Sequence, residues 1–179
     1  MVLALWLAIP VAVALSQCGG SIGLSRDALT STAIRAASAV ILYSAAEELL
    51  FRGMVTNWVS LNTRKVVVLL FLGSACFAAI HFGHVLHSKS PLHLMYFMSA
   101  GFVLQLARLA QGGLLGCMLA HALYNLLMGH LGDTIRNGYG AGAALRFLEV
   151  VQLGTVCLAA TLALGVYLWG RARLLGVSS

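Results

Sequence analysis

The chain has 179 residues, 60% of them hydrophobic and only 9% charged, with a net charge of +6; its mean hydropathy is +0.93. A soluble domain carries about a quarter charged residues and hides only about two thirds of its unfolded surface at this size, so the composition excludes a soluble fold and leaves an integral membrane protein. The Lys and Arg residues stand singly or in pairs between apolar runs, so they read as juxtamembrane anchors and not as a nucleic-acid surface.

A helix needs about 20 mostly apolar residues to cross the hydrocarbon core, and six runs qualify or come close. The expected fold is therefore an all-α, polytopic transmembrane helix bundle of about six spans. Met1–Leu15 is the first run. It could be a signal peptide cut before Cys18, but it lacks a positively charged n-region, which favours a retained helix. Ala33–Phe51 is the second and carries two glutamates near its end. Val66–Phe82 is the third. Leu92–Ala107 and Leu114–Met128 are short, and Phe147–Trp169 is the longest and plainest.

Gly-, Ser- and charge-rich stretches separate these runs and predict loops over Cys18–Thr32, Arg52–Lys65, Gly83–Pro91, Arg108–Gly113 and Gly129–Arg146. The expected organisation is an N-terminal helix and loop (1–32), a core (33–130), and a loop with a C-terminal transmembrane helix (131–179). The balance of positive charge between the two sides leans toward both termini in the cytoplasm. Cys18, Cys76, Cys117 and Cys157 show no C-x-x-C spacing and read as small buried hydrophobes. Gly112-x-x-x-Gly116 reads as a close helix contact.

Few polar side chains fall within the apolar runs. Glu47, Glu48 and Arg52 lie on the second, His81 and His84 at the end of the third, and His121 and Asn125 on the fifth. A charged group at membrane depth costs about 2.5–3.5 kcal/mol on insertion scales, so such residues face a bundle interior or a wet cavity. Glu48 and Arg52, at i and i+4 with the acid first, predict an intrahelical ion pair. Glu47 is rotated about 100° from Glu48 and has no sequence-local cation. It is the candidate general base, a reading weighed against a snorkelling surface acid. His121 and Asn125 share one helical face and offer an imidazole and an amide donor suited to an oxyanion. Phe77 and His81 share another face. Glu47, His81, His121 and Asn125 are expected to converge on one internal cavity. His84, His87 and His93 have a metal-like spacing but read as a solvated loop, and Tyr124 reads as core.

Taken together and in order, Glu47-Glu48-x-x-x-Arg52, Phe77-x-x-x-His81 and His121-x-x-x-Asn125 on successive apolar helices resemble the CAAX prenyl endopeptidases and bacteriocin-processing enzymes. This is the CPBP, or Abi, group of intramembrane proteases. The resemblance covers about residues 40–130. It implies an eight-helix fold, or a reduced version of it, around a conical hydrophilic cavity; six spans at most is a departure. It implies that Glu47 with His81 activates water for attack on a peptide carbonyl. His121 and Asn125 would then stabilise the tetrahedral intermediate, while Glu48 and Arg52 orient the site. Members of the group have been described as metalloproteases, and a glutamate mechanism without a catalytic metal is also argued. Glu47, His81 and His121 are acceptable Zn²⁺ ligands, although no H-E-x-x-H occurs, so both mechanisms stay open.

The implied partners are membrane lipids and a lipidated or membrane-associated protein substrate. That substrate would be a prenylated CAAX terminus in the endoplasmic reticulum of a eukaryote, or a leader peptide at a bacterial cytoplasmic membrane. A proton-coupled transporter and an inactive scaffold of the same fold are the competing readings.

Overall fold

Apolar runs without strand-like alternation wind into helices throughout the computed structural model, which describes residues 2–17, 40–62, 66–88, 90–111 and 113–174. Helix α1 is Val2–Gln17. Helix α2 covers 40–62: a regular stretch over 40–48 runs into a wide π-helical turn, Leu49–Val55, and resumes as Thr56–Asn62. Then follow α3 (Val66–Ile80), α4 (Phe82–Ser88), α5 (Pro91–Gln111), α6 (Leu115–Tyr139) and α7 (Ala141–Leu174). No strand occurs among the described residues. Pro91–Ala110 and Ala141–Leu168 are long and apolar enough to cross a membrane, and Val2–Ser16 and Val66–Ile80 are shorter apolar helices. The predicted second span is described only from residue 40. Cys18 and Gly112, with the roles expected for them, lie outside the described residues.

Three predicted loops are helical instead. The stretch from Arg52 stays in α2 because its polar residues are satisfied inside the fold. Arg52 and Thr56 are buried, and the Thr56 hydroxyl donates to Phe51 O at 2.8 Å within the π turn. The stretch from Gly83 forms α4 after a turn at His81, whose carbonyl accepts the amides of His84 and Val85. His84 and His87 are therefore exposed on a helix, and His93 lies in the first turn of α5. Pro91 opens α5, where a missing N–H costs nothing.

The predicted break at Gly129 is the largest miss, since α6 runs on to Tyr139. Glycine costs a helix about 1 kcal/mol per residue, but burial of Leu131 and Ile135 one turn apart holds this segment to the bundle. The chain breaks at Gly140, whose φ of 86° is cheap only for a residue without a Cβ. Cys117 is buried as expected, whereas Cys157 is exposed; it faces outward from α7.

α5 packs most extensively against α3 and α7, and α1 lies against α6 and α7. Their shared core includes Trp6, Phe77, Val103, Leu104, Tyr124, Phe147 and Val151. The outer surface is apolar as well: Leu42, Val67, Phe71, Leu119 and Leu153 are all exposed. Soluble monomers rarely expose contiguous apolar patches on that scale, whereas lipid accepts them.

Close approach of α3 and α5 rests on glycines that the sequence did not single out. A Cβ on Gly101 would meet Ser74 Cα at 3.0 Å and Phe77 Cβ at 3.2 Å, and one on Gly73 would meet the Gln105 side chain at 3.0 Å. At Gly101 the obstacle includes backbone, which cannot rotate away. Gly101→Ala is therefore expected to destabilise the protein by about 1–3 kcal/mol through overpacking, read as a lower melting temperature in detergent. An unchanged melting temperature would show that the α3–α5 contact has slack.

Candidate active site

Glu47 and Glu48 sit on the last regular turn of α2, immediately before the π turn that carries Arg52. Single π turns inside α-helices frequently occur at functional sites. Glu48 is fully buried, and its Oε1 accepts two hydrogen bonds, from Arg52 Nη1 at 2.9 Å and His121 Nδ1 at 2.8 Å. The ion pair forms at the predicted i, i+4 spacing. Arg52 also donates from Nη2 to Gly101 O at 3.1 Å, and its guanidinium lies 4.6 Å above the Phe77 ring. It thereby ties α2 to both α3 and α5. The link from Glu48 to His121 on α6 was not foreseen.

His81 occupies the turn after α3, and its Nδ1 lies 2.8 Å from Phe77 O. A carbonyl only accepts, so Nδ1 carries the proton and Nε2 presents a lone pair. In His121 the same argument applies: Nδ1 donates to the Glu48 carboxylate and leaves Nε2 to face the cavity. Both Nε2 atoms point at Glu47. His81 Nε2 is 3.8 Å from Glu47 Oε1, and His121 Nε2 is 3.7 Å from Glu47 Oε2. These separations exceed a hydrogen bond and suit a water off the axis that touches both groups. The Glu47 side chain is 17% exposed, so it is held inside and does not snorkel. The His81 ring is fixed between Phe97, stacked at 4.3 Å, and Phe77, at 4.6 Å.

Asn125 lies one turn beyond His121 on α6 and donates from Nδ2 to Ser44 Oγ at 3.1 Å. Its second N–H remains for another acceptor. Ser44, fully buried one turn before Glu48, escaped the sequence reading because it looks like one more small residue in an alanine-rich helix. Glu47, His81, His121 and Asn125 line one cavity together with Trp6, Phe77, Tyr96, Phe97, Ala100 and Tyr124. Trp6 comes from α1, to which the sequence attached no role; its signal was lost in a uniformly apolar run. Tyr124 is core, as expected, and stacks on Trp6.

Residues 29–127 match a family of proteins described as type II CAAX prenyl endopeptidase Rce1-like, and that stretch is more than half of the chain. The chain belongs to this family. No curated protein and no solved structure matches it. The family's description names a prenyl endopeptidase of CAAX type. Membership gives no support to a transporter. For the Rce1-like chain described here, the donor set also bears on the metal question. Among the described residues no three His, Cys, Asp or Glu side chains are grouped as a metal ion requires. The described residues thus present no ready three-ligand site for Zn²⁺.

Proposed function

We propose that this protein is a multi-pass intramembrane endopeptidase that hydrolyses a peptide bond near the C-terminus of a lipidated, CAAX-type substrate through water activated by Glu47 and His81. The observation that carries the reading is the Glu47 carboxylate facing two imidazole Nε2 atoms across less than 4 Å in a walled cavity of a CAAX-protease family member. A water held by Glu47 and the His81 lone pair has a base on each side. Glu47 takes the proton as the oxygen attacks the scissile carbonyl carbon, and delivers it to the departing amine.

Negative charge then develops on the carbonyl oxygen. The free Asn125 N–H is a donor for it, and His121 becomes one when its Nε2 is protonated. Glu48 supports that imidazolium through Nδ1, and Arg52 holds Glu48 in place. Ser44 orients the Asn125 amide. The remaining apolar runs complete a bundle of about six spans, which places the cavity at membrane depth where a lipid-anchored terminus is delivered.

Protein in lipid nanodiscs is expected to release the C-terminal tripeptide from a farnesylated CAAX-type peptide, and to keep doing so in the presence of a chelator. Failure to cleave the farnesylated peptide would overturn the substrate assignment. Activity lost to chelation and restored by Zn²⁺ would overturn the metal-free chemistry.

A further inference from the structure

Resting on the proteolytic reading above, we infer that Trp6 is a substrate-binding residue, its indole N–H donating to a main-chain carbonyl oxygen of the peptide in the cavity. Trp6 lies on α1, outside the matched residues 29–127, so the family match assigns it nothing. It is only 1% exposed, yet its side chain lines the same cavity as Glu47, His81, His121 and Asn125. The ring is held flat on Tyr124, centroids 4.0 Å apart and planes 9° from parallel, with the His121 ring 6.5 Å away. Aromatic packing therefore accounts for the faces of the indole but not for its edge. Nε1 is buried and has no hydrogen-bond partner among the described residues.

Buried Trp N–H groups usually find an acceptor, and leaving one unmatched is unfavourable. A buried donor without a partner, on a residue that lines a cavity, is matched when a ligand brings an acceptor within its reach. An extended peptide does so at every residue, since each carries a carbonyl oxygen. The indole donates only, so it selects acceptors and discriminates against N–H groups presented at the same place. α1 is positioned for this by a tight crossing over α7: a Cβ on Gly154 would come within 3.0 Å of Ile9 Cγ2.

The test removes the N–H and keeps the shape. Trp6 is replaced by 3-benzothienylalanine, which retains both fused rings and puts sulfur where the N–H was, with Trp6→Phe as the genetically simple companion. Binding of a farnesylated CAAX-type peptide is measured in a Glu47→Gln background, which blocks turnover, and kcat/KM in the native background. Binding and kcat/KM are each expected to fall by roughly 3- to 12-fold, the range for loss of one neutral hydrogen bond, with the melting temperature of the benzothienyl form unchanged. Equal affinity and equal kcat/KM for the parent and the benzothienyl form would overturn the assignment and leave the proteolytic reading intact. A parent that binds the peptide in a Trp6-dependent manner without cleaving it would sink the proteolytic reading alone.

Discussion

Glu47→Gln is expected to lower peptide hydrolysis by about 10²- to 10⁴-fold, the usual worth of a positioned general base, while the protein stays folded and membrane-inserted. The substitution keeps the size and reach of the side chain and removes only its capacity to accept a proton. Folding is expected to be indifferent because Glu47 makes no short bond among the described residues that would be broken. Its contacts to His81 and His121 are 3.8 and 3.7 Å, beyond hydrogen-bonding range. Thermal stability is read beside cleavage of the farnesylated peptide in the same preparation. Hydrolysis undiminished in the Gln form would rule out Glu47 as the base, whatever the melting curve shows.

Arg52→Ala acts in the opposite way, on the fold before the chemistry. Arg52 and Glu48 are both fully buried, and removal of one partner from a buried pair typically costs about 3–5 kcal/mol, because the other charge is stranded. Here the truncation also releases Gly101 O on α5 and uncovers the face of Phe77. Glu48 keeps only its bond to His121. A large drop in melting temperature is expected, with cleavage lost along with it. Arg52→Lys retains the charge but not the forked geometry that serves Glu48 and Gly101 together, so it should fall between Ala and the parent. If Arg52→Ala melted like the parent, the support role of the pair would be wrong.

Helical geometry carried the local part of the site. Glu48 and Arg52 meet because i and i+4 share a face, and four of the polar outliers, Glu47, His81, His121 and Asn125, reach one cavity, as costly polar groups in an apolar bundle tend to do. Contacts between helices were not legible. Ser44 and Trp6 sit in stretches of near-uniform composition, where no periodicity marks which face turns inward. The same limit hid the glycines: Gly112 and Gly116 have a recognisable spacing, while Gly73 and Gly101 matter through the partner that each one meets. Punctuation by glycine misled in α6, where Gly129, Gly132 and Gly138 read as loop, yet buried Leu131 and Ile135 keep the helix intact. In each case a tertiary contact decided what a local preference could not.

The double engagement of Arg52 has a consequence for biogenesis. On the proposed multi-pass reading, α2 leaves the ribosome and enters the membrane while its acceptor Gly101 O is still 49 residues away in sequence and the second donor to Glu48, His121, is 73 residues away. Until they arrive, the helix must be retained with three ionisable groups and only the internal Glu48–Arg52 pair to offset them. On that reading insertion of α2 is provisional, made durable by helices synthesised afterwards. Truncated nascent chains ending before α5 should integrate α2 inefficiently, and extension through α6 should lock it in.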